Sequence, residues 1–164
     1  MLKRLILTTA VTLAALSSAW AEDKLTVTGK TCTELLAFYK NLPFTSVLPL
    51  PDGPVTVPGK SGDITIGFSQ TGFNHPWRTA MLAALQAEAC RHPNIKIVVV
   101  DGNVDVAKQN NDVHDLLARG VDAVLLSPVE SAALAPAARA VMSAGLPLIV
   151  TFRPTKLCSS DKAM

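Results

Sequence analysis

The chain has 164 residues and a mass of 17.3 kDa, the size of one modest domain rather than two full ones. With 49% hydrophobic and 17% charged residues it can bury a core, which argues against wholesale disorder and against a heptad-patterned coiled coil. A formal charge of +2, from 15 basic against 13 acidic side chains, gives a nucleic-acid binder little to work with.

Residues 1–21 read as an address. Lys3 and Arg4 form a cationic start, Leu5 to Leu16 is an apolar run, and Ala19-Trp20-Ala21 is a small-x-small cleavage site, the pattern of a secretory signal peptide. The run stops at Ser17-Ser18, short of the roughly 18 apolar residues a spanning anchor needs. No Cys stands at the cleavage position, which argues against a lipid anchor. Loss of Lys3 and Arg4 leaves 13 basic and 13 acidic side chains, so the mature chain is formally neutral. Cys32, Cys90 and Cys158 fit an exported protein but match no zinc spacing. At most one bridge can form, and the preferred reading is three unbridged thiols, with Cys90 packed in a helix.

Residues 22–62 form a segment of different character. Thr33 to Asn41 predicts a short helix, and five of the 11 prolines follow between Pro43 and Pro58, so the stretch reads as a linker or extended arm. From Asp63 strand and helix alternate. Ile64–Ser69 predicts a strand and Trp77–Arg91 a helix with Pro76 in its first turn. Ile95–Val100 predicts a strand covered on both faces, and Val104–Ala118 a helix closed by Gly120. Val121–Leu126, Ala132–Ser143 and Leu146–Phe152 complete the series. Asn110 interrupts the apolar register of Val106, Val113 and Leu117 without an evident reason. Four strands alternating with three helices predict an α/β fold, a doubly wound parallel sheet spanning residues 63–153. Residues 154–164 are a tail with no strand pattern.

In such sheets ligands meet the loops at the carboxyl ends of the strands. The loop Ser69-Gln70-Thr71-Gly72-Phe73-Asn74-His75-Pro76 contains neither a dinucleotide nor a P-loop glycine pattern. Asp101 is the only clear acid at a strand end, too few for a phosphoacceptor. No Gly-x-Ser-x-Gly elbow occurs, and His75, His92 and His114 lack metal-site spacing. His92 and His114 read as solvent-exposed helix residues. No constellation calls for an enzyme, a cofactor or a metal.

The strand-end loops do carry the side chains a sugar uses. Gln70 and Asn74 supply amides, Trp77 a flat apolar face, and Arg78 and Arg153 planar donor forks. From composition alone the favoured reading is an indole packed on the sheet and two solvated guanidinium groups.

The run Ile66-Gly67-Phe68-Ser69-Gln70-Thr71-Gly72, followed by Trp77-Arg78-Thr79-Ala80, resembles the first strand and loop of the periplasmic sugar-binding proteins of ABC importers, of the ribose-binding type. It is particularly similar to the galactofuranose-binding branch, and the similarity continues through Asp101-Gly102-Asn103, Lys108-Gln109, Leu117 to Ala123, Ser127-Pro128 and Gly145 to Leu148. The resemblance covers about residues 63 to 153. It implies a type I periplasmic binding protein, in which two hinged lobes close on a sugar and the loaded form docks on a permease. It also implies ligand contacts at Trp77, Arg78 and Arg153, and less specifically at Gln70, His75 and Asp101. Two departures stand out. The family's Asp-Arg after the fourth strand is Phe152-Arg153 here, and members run to about twice this length, as two lobes require. The expected protein is therefore a truncated single lobe, periplasmic, that binds a monosaccharide weakly and meets a permease or a separately encoded second lobe. The other reading is a secreted interaction module that binds a partner protein without transport. The fourth strand, Leu148-Ile149-Val150, is expected to be an exposed edge that the Pro-rich arm could cover.

Overall fold

The computed structural model describes residues 28–40, 52–56 and 59–151. Residues 1–21, expected to be a signal peptide, Arg153 with its neighbour Phe152, and residues 154–164 lie outside the described residues. Eight elements follow in chain order: α1 (Cys32–Lys40), β1 (Ile64–Gln70), α2 (Pro76–Cys90), β2 (Ile95–Asp101), α3 (Val106–Ala118), β3 (Ala123–Leu126), α4 (Ala135–Ser143) and β4 (Leu148–Val150). The strands form one parallel sheet in the order β2-β1-β3-β4.

That order reverses direction once. The chain steps from β1 to β2 on one side, then returns past β1 to β3 and β4 on the other. With right-handed crossovers, α2 covers one face while α3 and α4 pack together on the other. Strand alternation separates the two cores. Val113 and Leu116 of α3, Val124 and Leu126 of β3, and Ala137, Ala138 and Val141 of α4 are all buried in one cluster. Gly67 stands on this face, because a Cβ there would come within 2.9 Å of Leu116 Cδ1. Phe68 points the other way and is fully buried. Central β1 is thus covered on both faces. β2 is an edge: among the described strands it pairs only with β1 and its residues are half-buried or exposed, with α2 packed on one face and α3 on the other. Helices meet Ile95–Val100 from both sides, and its partial exposure follows from its edge position.

Helix boundaries follow from capping. α1 begins with a capping box, Thr31 N donating to Glu34 Oε2 at 2.7 Å and Glu34 N to Thr31 Oγ1 at 3.2 Å. α3 starts at Val106 rather than Val104, because Asp105 accepts from Lys108 N at 2.6 Å and so takes the N-cap position. Gly120 and Gly145 (both φ 71) end α3 and α4 in the same way. Gly120 N and Val121 N donate back to Leu117 O and Leu116 O, and Gly145 N and Leu146 N to Met142 O and Val141 O, the Schellman arrangement. These turns take up residues expected in strands, so β3 starts at Ala123 and β4 spans only three residues. Ala132 to Leu134 precede α4 as turns.

Asn110 now has a role. Its Nδ2 donates to Val106 O and Ala133 O, and its Oδ1 accepts from Ala137 N at 3.2 Å. The interruption of the apolar stripe is a polar tie between α3 and the start of α4.

Two further expectations are corrected. Cys32 and Cys90 form a disulfide with Cα atoms 5.5 Å apart and a sequence separation of 58, where unbridged thiols were expected. Their proximity follows from the docking of α1 along α2, a tertiary event that local sequence does not encode. By loop-closure entropy such a bridge contributes about 4 kcal/mol. His92 is buried rather than exposed, its Nδ1 donating to Gly53 O at 2.7 Å. That contact belongs to the docked arm. Arg91 pairs with Asp52, Asn94 Nδ2 donates to Val55 O, and Lys60 pairs with Asp122. The described arm residues therefore brace the amino ends of the strands, not the edge of β4, where Ile149 remains 61% exposed.

Candidate functional site at the strand tips

The reversal of strand order lies between β1 and β3, where the outgoing loops part toward opposite faces and leave a crevice at the carboxyl ends. One side chain organises this point. Gln109 of α3 is fully buried. Its Nε2 donates to Ser127 O at 2.9 Å and Ser69 Oγ at 3.2 Å, and its Oε1 accepts from Val129 N at 2.9 Å. Thr71 Oγ1 also donates to Ser127 O, at 2.8 Å. The ends of β1 and β3 and the loop after β3 are thereby fixed against each other. Gln109 shares the helix face of Val106, Val113 and Leu116, and a polar residue on that buried stripe is the signal that marks it.

Gln70 ends β1 and is fully buried. Its Oε1 accepts from Thr71 N at 2.9 Å, while its Nε2 has no hydrogen-bond partner among the described residues. Its carbonyl accepts from Gly102 N at 2.8 Å, and a Cβ on residue 102 would lie 2.9 Å from that oxygen. Only glycine allows β1 and the loop after β2 to approach so closely. Asp101 stands in register with Gln70, exposed, with its carboxylate accepting from Asn103 N at 2.8 Å. Asn103 (φ 50) and Val104 (φ 59) are both left-handed, a conformation that strains a β-branched residue. Val104 N donates to Thr71 O, so the strained turn is tied to the β1 loop.

Asn74, His75, Trp77 and Arg78 cluster at the start of α2. His75 is the N-cap, its Nδ1 accepting from Trp77 N at 3.2 Å, and Pro76 takes the first helical position as expected. Arg78 donates to Asn74 Oδ1 at 3.1 Å. Trp77 is 58% exposed, so its indole is not packed away against the sheet. The structure thus joins Gln70 with Asp101 across two strand ends, and groups Asn74, His75, Trp77 and Arg78 at the start of α2. Arg153 lies outside the described residues. Among the described residues no group of three or more His, Cys, Asp or Glu is placed to hold a metal ion, and no helix is long and apolar enough to cross a membrane.

The four parallel strands with helices on both faces define a doubly wound α/β lobe. Residues 66–163 match the family described as periplasmic binding protein domain, and the chain belongs to that family, a class of binding proteins rather than catalysts. The ribose import binding protein RbsB of Bacillus subtilis (strain 168) is 33% identical over 95 residues, 58% of this chain and 31% of that protein. The galactofuranose-binding protein YtfQ of Escherichia coli (strain K12) is 30% identical over 90 residues, 55% of this chain and 28% of that protein. An ABC transporter solute binding protein from Mycobacterium smegmatis, crystallised with bound glycerol, superposes with a TM-score of 0.55 at 35% identity, covering 58% of this chain and 33% of that one. The chain thus matches about a third of the length of these relatives.

Proposed function

We propose that the chain is a sugar-binding lobe of an ABC importer's substrate-binding component, exported to the periplasm by residues 1–21, which are then removed. It takes a monosaccharide at the strand tips through Gln70, Asn74, His75, Trp77, Arg78, Asp101 and Arg153, and its protein partner is a membrane permease. The observation that carries this reading is the grouping of Asn74, His75, Trp77 and Arg78 at the start of α2, in the loop that follows a buried Gln70 whose Nε2 has no partner among the described residues. A buried donor without an acceptor is costly, and a sugar hydroxyl at this strand end would supply that acceptor. The exposed indole offers a face for the ring's C–H groups. The relatives' names, ribose import and galactofuranose binding, point to the same ligand class.

Affinity follows from magnitudes. Each hydrogen bond nets about 0.5 to 1.5 kcal/mol, whereas association costs about 4 to 15 kcal/mol. One wall with three or four polar contacts and one stacking face barely exceeds that cost, so this lobe alone binds at about millimolar strength or weaker. Isothermal titration of the mature chain with D-ribose, D-galactose and L-arabinose tests this. Weak, saturable heat supports the reading, and micromolar binding by the monomer overturns the one-walled site. A second reading, a lone lobe that pairs with a partner protein, draws support from Ile149, exposed on edge strand β4.

A further inference from the structure

We infer that Thr151 is a further ligand contact of the strand-tip site and sets its specificity: its hydroxyl, at the carboxyl end of β4, meets a hydroxyl on the edge of the sugar ring opposite the one that Gln70 meets. The inference rests on the sugar-binding reading above and adds a specificity-determining residue to it.

Among the described residues, two buried side-chain polar atoms have no hydrogen-bond partner, Gln70 Nε2 and Thr151 Oγ1. Such atoms are rare in folded proteins and each calls for a physical reason. Both of these stand where a strand ends at the crevice, which points to one reason for the two.

The backbone sets them in one row. Ser69, Leu126 and Val150 are aligned across β1, β3 and β4. The ladder continues one residue further, since Ser127 N donates to Ser69 O at 2.8 Å and Thr151 N to Leu126 O at 2.9 Å. Gln70, Ser127 and Thr151 are therefore the next cross-strand line, at the tip of the sheet.

The three also share a face. Ser69 Oγ accepts from Gln109 of α3, and Leu126 and Leu148 pack in the cluster formed with α3 and α4. Side chains alternate along a strand, so Gln70, Ser127 and Thr151 project to the opposite face. Neighbouring strands lie about 4.8 Å apart, so Gln70 and Thr151 bracket Ser127 across about 10 Å. One sugar ring with a hydrogen bond at each edge fits that span. The amide at one end donates, and the hydroxyl at the other donates or accepts. A polyhydroxylated ring answers both, whereas an apolar ligand leaves both unpaired.

The test uses the mature, disulfide-bonded chain with Thr151→Val, which keeps the shape and removes the hydroxyl, and Thr151→Ser, which keeps the hydroxyl. Circular dichroism checks folding, and Thr151→Ala replaces the valine variant where valine disturbs it. NMR titrations compare D-ribose, D-galactose, L-arabinose and monodeoxy analogues of each. Thr151→Val is expected to weaken binding of the recognised sugar about three- to tenfold, and Thr151→Ser to bind within about twofold of the unaltered chain. One monodeoxy analogue is expected to bind the unaltered chain and Thr151→Val alike, because the hydroxyl it lacks is the one Thr151 meets. Unchanged affinity in Thr151→Val overturns the inference and leaves the sugar site standing. So does a loss that serine does not rescue, or one of equal size for every analogue, either of which marks a packing effect. Absence of binding by the unaltered chain to every sugar overturns the underlying reading, and the inference with it.

Discussion

Gln109 and Ser127 are joined by a buried hydrogen bond, Nε2 to carbonyl at 2.9 Å, that spans from α3 to the tip of β3. Because the same amide also holds Ser69 Oγ and Val129 N, one side chain sets the spacing of the two strands that flank the crevice.

Gln109→Leu keeps the volume and removes the bonds, leaving Val129 N without its acceptor and Ser69 Oγ without its donor in a buried site. Unsatisfied buried groups cost about 1 to 3 kcal/mol each, so the variant is expected to lose about 3 kcal/mol. Urea denaturation followed by circular dichroism measures this, and a loss below about 1 kcal/mol would show that the network is dispensable.

Gly67 and Leu116 set the approach of α3 to β1. Gly67→Ala places a methyl 2.9 Å from Leu116 Cδ1, inside a core where Leu116 is fully buried. Overpacking of this kind costs about 1 to 3 kcal/mol. The double variant Gly67→Ala, Leu116→Ala is expected to be more stable than the sum of the single effects predicts, since the new methyl fills part of the space Leu116 vacates. Strict additivity in a double-mutant cycle would contradict this packing.

The sheet and its helices were legible because each strand is a compact apolar run and each helix carries an end signal. Pro76 begins α2, and Gly120 and Gly145 close α3 and α4. Asp105 was equally visible as an N-cap, and reading it would have started α3 at Val106. The apolar run Ile95–Val100 reads alike at an edge or in the centre, so the edge position of β2 appears only with the strand order. Gln109 and Asn110 were visible as polar breaks in an apolar stripe, but their partners come from elements 18 to 40 residues away. The Cys32–Cys90 bridge and the burial of His92 depend on segments before residue 63 docking onto the lobe. Proline content reveals that the arm is irregular and is silent on where it lands. The grouping of Asn74, His75, Trp77 and Arg78 at the start of α2 was legible from their position in a strand-end loop. That Gln70 Nε2 has no partner among the described residues is a property of packing that no local pattern carries.

Val104 is left-handed at φ 59 and 48% exposed. A left-handed conformation costs an ordinary residue about 1 to 2 kcal/mol, and asparagine tolerates it far better. Val104→Asn is therefore expected to raise stability by about 1 kcal/mol, read as a higher urea midpoint with an unchanged slope. A lower midpoint would mean that the valine side chain's contact at Gly72 outweighs the strain.

Asp122 gives the arm contact a pH dependence. Its carboxyl is held below the usual carboxylate range, first by the hydrogen bond from Lys60 and next by that from Thr65 N, at 2.8 Å. A folded-state value below the unfolded one favours the native state wherever the carboxylate is ionised in both. That contribution is complete above the unfolded value, about 3.9, and is lost as pH falls through the lower folded value. Asp122→Asn is expected to flatten this part of the acid limb of a stability-versus-pH profile. An unchanged acid limb would show that the pair with Lys60 does not couple to folding.

The most direct test of the central claim is a ¹H–¹⁵N NMR titration of the mature, disulfide-bonded chain with D-ribose, D-galactose and L-arabinose. A sugar seated at the strand switch is expected to shift backbone signals of residues 70–78, 101–105 and 127–131, with saturation in about the millimolar range. Shifts confined to the amino ends of the strands or to the β4 edge, or no shifts with any of these sugars well beyond that range, would contradict the account.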